Sequence, residues 1–234
     1  MTTALITGGT KGIGYGIAEA MLHENMNVVI TGRNQNTVDK AVENLAKIGK
    51  GQILGVASDV RDLAAEQNAV NKTVEKFGRL DVLIANAGVG HFASIEDLTP
   101  EQWQQTIDVN LTGVFNSIKA GVEALKTSKG YFMTIASLAG TNFFARGAAY
   151  NASKFGLVGM TQAIMLDLRQ YGIKTTTIMP GSVSTHFNGN NPSEKDDWKI
   201  QPEDIGQIVI DLLKMNPRTL PSKVEVRPTM PGKK

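Results

Sequence analysis

Short apolar runs alternate along the chain with longer stretches in which apolar residues recur at helical spacing. Such runs, rich in β-branched residues, predict strands, and their lack of polar positions indicates burial on both faces. We predict seven strands, near 3–7, 27–31, 52–57, 80–85, 130–136, 173–179 and 223–227. Helices are predicted near 12–25, 36–48, 62–77, 101–127, 150–171 and 202–214. This alternation predicts an α/β fold, a doubly wound parallel sheet of about seven strands with helices on both faces.

The chain shows no internal repeat, flexible linker or shift in composition that would divide it. We therefore expect a single domain over residues 1–234. The irregular stretch is 182–201, which is polar, rich in turn residues and placed just after the sixth predicted strand. Because open α/β sheets bind ligands beyond the carboxyl ends of their strands, we predict a substrate loop there. Trp198 in this loop either covers a substrate or anchors the loop, whereas Trp103 in a predicted helix is expected in the core.

Composition and charge remove several classes of function. The chain has no cysteine, which excludes disulfides, thiolate nucleophiles and cysteine-based metal sites. The net charge of +2, spread over mixed signs, argues against nucleic acid as a partner. The sequence has no leader-like segment and no apolar run of about 18 residues, so we expect a soluble cytoplasmic protein without membrane contact. His23, His91 and His186 lack metal-ligand spacing, and we expect no metal site.

A glycine-rich turn follows the first predicted strand and opens the first helix, with the sequence TGGTKGIG at 7–14. Glycines allow positive φ angles and close approach of backbone N–H groups to phosphate, and a helix N-terminus favours an anion. Gly8, Gly12 and Gly14, with Thr10, Lys11 and Ile13 between them, therefore predict a pyrophosphate site in a Rossmann-type fold. The spacing differs from the usual Gly-x-Gly-x-x-Gly, and the alternative is merely a tight connection.

The end of the second strand favours NADP(H) over NAD(H). Sites that prefer NAD place an acidic residue there to hold the ribose hydroxyls, whereas this chain has Gly32 and Arg33. Gly32 leaves room, Arg33 offers a planar cation that suits a 2′-phosphate, and Lys11 adds a second positive charge. Each cation alone is equally well explained as a solvated surface charge.

Tyr150 and Lys154 are four residues apart in a predicted helix, which places both side chains on one face. A tyrosine has a pKa of about 10 and acts as a base near neutrality only if a neighbouring cation favours the phenolate. Lys154 supplies such a charge, and Ser137 at the end of the fifth strand is placed to hydrogen-bond a reacting oxygen. The alternative is an ordinary helix pair beside a turn serine.

Together these elements resemble the short-chain dehydrogenase/reductase family, of the classical type. The matching motifs appear in family order over nearly the whole chain: TGGTKGIG at 7–14, Asp59-Val60, Asn86-Ala87-Gly88, Asn110, Ser137, Tyr150-x-x-x-Lys154, and Pro180-Gly181-x-Val183-x-Thr185. The resemblance implies NADP(H) as cofactor and hydride transfer between nicotinamide and a small-molecule carbonyl or alcohol. It also implies a homodimer or homotetramer that pairs through the two long helices near 101–127 and 150–171.

The resemblance also assigns roles to residues. The implied catalytic residues are Asn110, Ser137, Tyr150 and Lys154. The implied cofactor-binding residues are Gly8, Thr10, Lys11, Gly12, Ile13, Gly14, Arg33, Asp59, Val60, Asn86, Ala87, Gly88, Tyr150, Lys154, Pro180, Gly181, Val183 and Thr185.

Within these sets, the resemblance implies that Asp59 and Val60 flank the adenine and that Thr185 meets the carboxamide or pyrophosphate. Lys154 would also hold the nicotinamide ribose, and Asn110 would bind a water that links Lys154 to solvent. The alternatives are that Asn86 only pins a turn and that Asn110 only satisfies a helix carbonyl.

Two departures from the family pattern limit the assignment. Ala85 stands where Asn is more usual, and the segment after 223, KVEVRPTMPGKK, lacks the glycine-rich sequence common in β-ketoacyl carrier-protein reductases. A general carbonyl reductase is therefore the leading expectation. A β-ketoacyl or sepiapterin-like pterin reductase and a catalytically silent NADP(H)-binding sensor remain as alternatives.

Overall fold

The computed structural model describes residues 1–230, so the predicted domain of residues 1–234 extends four residues beyond this range. Seven strands form one sheet in which all neighbours are parallel, in the order β3-β2-β1-β4-β5-β6-β7. They are β1 (Thr3–Ile6), β2 (Asn27–Gly32), β3 (Ile53–Ala57), β4 (Val82–Ala85), β5 (Tyr131–Ile135), β6 (Lys174–Pro180) and β7 (Lys223–Val226). The predicted doubly wound α/β fold is confirmed.

Seven α-helices connect these strands within the described range. They are α1 (Gly12–His23), α2 (Gln35–Leu45), α3 (Leu63–Phe77), α4 (Pro100–Ile107), α5 (Gly113–Ser128), α6 (Ala148–Leu168) and α7 (Pro202–Lys214). Among residues 1–230, none of these helices has the length and apolar character needed to cross a bilayer.

Alternate residues of β1 point to opposite faces of the sheet and enter two separate cores. Ala4 and Ile6 pack on the side of α1, α2 and α7, and Leu5 packs on the side of α3, α5 and α6. All three side chains are at most 1% exposed. Because a parallel strand in the middle of a sheet is covered on both faces, its sequence is apolar throughout.

Local signals explain where several helices begin and end. Thr99 and Gln102 form a capping box in front of α4, and Pro100 occupies its first turn, where a missing N–H costs nothing. Asp62 accepts a hydrogen bond from the Ala64 N–H at the start of α3. That helix stops at Gly78, whose φ of 76° lies in the left-handed region.

The helix predicted as one segment over 101–127 is interrupted. A single π-helical turn at Asp108–Thr112 separates α4 from α5 and contains the buried Asn110. Such turns insert an extra residue into a helix and re-aim side chains, which apolar periodicity does not reveal. The expectation that Trp103 lies in the core is wrong, since this side chain on α4 is 41% exposed.

One buried carboxyl lies in the core between α3, α5 and the end of β3. Glu66 is 1% exposed, and its two oxygens accept hydrogen bonds from the hydroxyls of Ser58 at 2.7 Å and Ser117 at 2.6 Å. It forms no ion pair within residues 1–230. Burial raises the pKa of Glu66, the two hydroxyls act in the opposite direction, and nearby Asp59 raises it further.

We predict that Glu66→Gln gains stability over the parent as pH rises. A pKa raised in the folded state means that the carboxyl favours folding fully below its unfolded pKa of about 4.5 and loses this contribution as pH rises through the folded value. Urea unfolding at pH 5 and pH 8 measures the difference, with the exposed Glu75→Gln on the same helix as control. Parallel pH dependence in the Glu66→Gln variant and the parent would contradict the prediction.

Candidate active site

The turn between β1 and α1 forms one wall of a deep cleft and lies tightly against the end of β4. Gly8 and Gly12 have φ angles of 66° and 58°, which glycine adopts without steric cost. The side-chain amide of Asn86 donates hydrogen bonds to the carbonyls of Thr7 and Gly8, at 2.9 and 3.1 Å. A Cβ atom at Gly14 would lie 2.6 Å from the Gly8 carbonyl oxygen. Glycine at this position is therefore what permits the close packing of the turn.

Two cations lie on the rim of the same cleft. Lys11 and Arg33 are exposed, and neither is paired with a carboxylate in the part of the chain that the structure describes. The expected room beside Gly32 is filled, because a Cβ atom there would lie 2.7 Å from Cγ2 of Thr10. The missing side chain at Gly32 therefore serves the packing of Thr10 against the end of β2.

The segment after β3 lines the cleft next to these cations. The Arg61 guanidinium, 2.5 Å from Asp59, lowers the pKa of that carboxyl, and the charge of Arg33 acts in the same direction. Asn116 on α5 donates a hydrogen bond to the carbonyl of Val60 at 2.9 Å. Asn116 and Glu66 fix this segment from behind, and the sequence does not reveal them because a buried polar residue within a helix carries no local signal.

At the centre of the cleft, α6 brings Tyr150 and Lys154 beside the end of β5. Lys154 is 4% exposed, and its ammonium donates a hydrogen bond to the Ile135 carbonyl at 3.0 Å. It lies 5.7 Å from the centroid of the Tyr150 ring. Ser137 follows β5, and its hydroxyl oxygen also accepts a hydrogen bond from the Ala139 N–H at 3.1 Å.

Burial moves the pKa values of this pair in opposite directions. It raises the pKa of Tyr150, although a hydrogen bond with Ser137 acts to lower it. It lowers the pKa of Lys154 to about 8. Desolvation favours the neutral form of both side chains.

Asn110 occupies the π-helical turn and lies behind Lys154. Its side-chain oxygen accepts a hydrogen bond from the Val89 N–H at 2.8 Å. Its side-chain N–H groups donate hydrogen bonds to the Val89 carbonyl at 2.9 Å and to the Ser153 hydroxyl at 3.1 Å. The alternative in which Asn110 satisfies a helix carbonyl is therefore not what the structure has. A Cβ atom at Gly88 would lie 3.4 Å from the Asn110 side-chain oxygen and 3.9 Å from the Lys154 nitrogen.

The residues after β6 form the opposite wall. The Gly181 N–H donates to the Val226 carbonyl on β7 at 2.8 Å. Val183 forms an isolated parallel bridge with Ile200, which closes the base of the 182–201 loop. Thr185 faces the glycine turn, since a Cβ atom at Gly12 would lie 3.4 Å from its methyl group.

These walls enclose a cleft of about 1080 Å³ along the carboxyl edge of the sheet. Every residue of the predicted site except Gly14 and Asn110 lines it. Those two lie behind the wall, where Gly14 packs against Gly8 and Asn110 packs against Gly88. The predicted substrate loop 182–201 contributes lining residues, as do the segments 89–95 and 138–149.

Comparison with known proteins agrees with this architecture. The family model for short chain dehydrogenase matches residues 2–196. A trans-4-hydroxycyclohexanecarboxylate dehydrogenase from Sinomonas cyclohexanicum is 37% identical over 187 residues, covering 78% of this chain and 72% of the relative. An NADP-dependent (R)-specific alcohol dehydrogenase from Lentilactobacillus kefiri is 35% identical over 187 residues, covering 78% and 73%.

A solved structure of an alcohol dehydrogenase shares the fold of this chain. The alcohol dehydrogenase from Thermococcus sibiricus, complexed with 5-hydroxy-NADP, superposes with a TM-score of 0.92 at 26% identity, over 98% of this chain and 97% of that one. The match to the family model, the relatives and the shared fold together show that this chain belongs to the short-chain dehydrogenase family of oxidoreductases.

Proposed function

We propose that the protein is an NADP(H)-dependent oxidoreductase that interconverts an aldehyde or ketone and the corresponding alcohol, with Tyr150 as the acid or base. The observation that carries this proposal is the partly buried phenol of Tyr150, with a raised pKa, between Ser137 and the buried Lys154. This group stands midway along a cleft whose far wall is the glycine turn.

The residues of the cleft fit a dinucleotide with an additional phosphate. Gly8 and Gly12 line the cleft with positive φ angles beside the N-terminus of α1, where a pyrophosphate is favoured. Lys11 and Arg33 are exposed on the rim of the cleft, and neither forms an ion pair with a described residue. Two such cations suit a 2′-phosphate. NADP(H) bound in this cleft would supply or accept the hydride of the reaction.

The protein's own groups then handle the proton. For reduction, Tyr150 donates its hydroxyl proton to the substrate oxygen, and Ser137 hydrogen-bonds the same oxygen. Lys154, when protonated, favours the phenolate that remains, because an opposite charge is most effective in a buried site. Asn110 positions the Val89 backbone and the Ser153 hydroxyl near this lysine, which supports a route for returning the proton. In oxidation the same groups act in reverse order.

Self-association through α4, α5 and α6 is part of this proposal. These helices expose four large apolar side chains, each at least 41% accessible: Trp103, Phe115, Phe155 and Leu166. Apolar side chains exposed on neighbouring helices are typical of an interface between subunits. We accordingly expect a homodimer or homotetramer.

We predict that Tyr150→Phe lowers the turnover number by at least about 100-fold, because it removes the proton donor. The affinity for NADPH, measured by cofactor fluorescence, should stay within about twofold. Lys154→Ala should impair both turnover and binding. Tyr171→Phe, which alters an exposed tyrosine beyond the end of α6, is the matched control. A smaller loss in Tyr150→Phe would implicate another acid, and no NADPH oxidation by the parent with any carbonyl compound would favour a silent sensor.

Arg33→Ala is predicted to reduce the preference for NADPH over NADH by about 10- to 100-fold, the range expected for hydrogen bonds to a charged group. Dissociation constants for both cofactors, together with kcat/KM, measure this preference. Lys40→Ala removes an exposed cation from α2 outside the cleft and serves as control. A parent protein that prefers NADH would contradict the assignment of NADP(H).

The 182–201 loop is predicted to become ordered over the substrate. Hydrogen exchange across 185–200 should slow when NADP⁺ and a substrate analogue are both present, because closure excludes water from the site. Trp198→Ala should change KM among substrates more than it changes NADPH binding. Fast exchange in the ternary complex, with an unaltered ranking of substrates, would leave the loop as a connector only.

A further inference from the structure

We infer that the substrate end of the cleft selects a neutral carbonyl compound that carries an aromatic or bulky apolar group, and that it rejects keto acids. This inference rests on the proposed function, because it names the substrate class of the same site. It has two independent supports, which are a cluster of aromatic rings around Tyr150 and the pairing of the cations near it.

Three phenylalanines from separate segments form a cluster beside the catalytic phenol. Phe92 lies 5.3 Å from Tyr150 between ring centroids, in an edge-to-face arrangement, and Phe187 lies 5.8 Å from Tyr150. Phe144 and Phe187 each approach Phe92 in turn, at 5.9 and 6.4 Å. All three phenylalanines line the cleft. A substrate whose carbonyl reaches the Tyr150 hydroxyl would therefore have its substituent against aromatic faces and edges.

Backbone features fix two of these rings. A Cβ atom at Gly90 would lie 2.7 Å from the Phe187 ring and 3.0 Å from Cζ of Phe92, so both rings rest on bare backbone. The aromatic cluster thus depends on a glycine that the family motifs do not include. Phe187 comes from the 182–201 loop, so this loop already contributes one ring to the substrate end.

The third ring is held by a residue next to the catalytic tyrosine. Asn151 on α6 donates hydrogen bonds to the carbonyls of Ala139 and Asn142, both at 2.8 Å, and accepts one from the Phe144 N–H at 3.4 Å. These contacts fold the segment after β5 back onto the helix. The aromatic wall is therefore held from both sides, by Gly90 and by Asn151.

No cation in the described lining is free to meet a carboxylate beside Tyr150. Lys11 and Arg33 line the glycine-turn end of the cleft, and Lys154, which is only 4% exposed, donates to the Ile135 carbonyl. The remaining two cations of the lining, Lys199 and Arg227, pair with Asp196 at 2.6 Å and Glu225 at 3.0 Å.

A carboxylate at the substrate end would therefore lose water without gaining a counter-charge, which is strongly unfavourable. His186, which also lines the cleft, is exposed, and its ring lies near the Asn190 carbonyl at 3.4 Å. The similar dehydrogenase from Sinomonas cyclohexanicum acts on a hydroxy acid, so this inference separates the present protein from that relative.

The test compares matched substrates with NADPH at pH 7. We expect kcat/KM for ethyl benzoylacetate to exceed that for benzoylacetate by at least about 100-fold, and to exceed that for ethyl acetoacetate, in which a methyl group replaces the phenyl ring, by about 10-fold. Calorimetric titration of each compound into the complex with NADP⁺, where no turnover occurs, should give the same order of affinity.

Equal or better use of the keto acid would overturn the inference and leave the proposed function standing. Reduction of none of these compounds, nor of simple aldehydes, would overturn both.

Two variants locate the effect. Phe92→Ala should lower kcat/KM for ethyl benzoylacetate relative to ethyl acetoacetate by about 5- to 10-fold, and Phe187→Leu should act in the same direction if the first variant does not fold. Ile95→Ala removes an exposed side chain from the same segment outside the cleft and should leave this ratio unchanged. An unchanged ratio in both phenylalanine variants would overturn the inference.

A third variant tests the charge argument directly. Phe144 is 47% exposed, so an arginine there can keep its charge in water while reaching the cleft. Phe144→Arg should raise kcat/KM for benzoylacetate relative to its ethyl ester by about 10-fold. An unchanged ratio would contradict the argument that keto acids are excluded because the substrate end has no free positive charge.

Discussion

The parallel direction of all seven strands is the constraint on which the site depends. It brings every strand's carboxyl end to one edge of the sheet, so that residues far apart in sequence meet there. The glycine turn after β1, Asn86 after β4, Ser137 after β5 and Thr185 after β6 all line one cleft for this reason. The two apolar cores keep this edge in place, since central strands such as β1 and β5 are packed against helices on both of their faces.

Amide side chains in the wall of the cleft and behind it hold the backbone that forms the lining. Asn86 ties the glycine turn to β4, Asn116 holds the segment at Val60, and Asn110 joins the π-helical turn to Val89. Each of these amides bonds to backbone, so it fixes the path of the chain without contributing charge. Burial of such groups is tolerated because their hydrogen bonds are made.

The two ends of the cleft differ in electrostatic character, so each end suits a different kind of ligand. The glycine-turn end has two exposed cations that form no ion pair among the described residues, which suits an anionic ligand. The substrate end is lined by phenylalanine rings, and the cations near it are paired or directed elsewhere. Between them, burial raises the pKa of Tyr150 and lowers that of Lys154 to about 8. One continuous cleft thus has a charged end, a buried tyrosine–lysine pair and an apolar end.

The sequence by itself determined the fold and most of the cleft lining. Apolar runs identify the central parallel strands because both faces of such a strand are buried, and turn residues directly after those runs must then meet at one edge. The spacing of Tyr150 and Lys154 was also sufficient, since four residues in a helix share a face.

Tertiary structure alone decided the features that depend on contacts between distant segments. The π-helical turn at Asn110, the packing of Thr10 against Gly32 and the exposure of Trp103 have no periodic or local signal. The same holds for the pKa shifts, which arise from burial, and for the rings around Tyr150, which come from three separate segments. Local patterns fix which elements form, whereas side-chain environment exists only after those elements have packed.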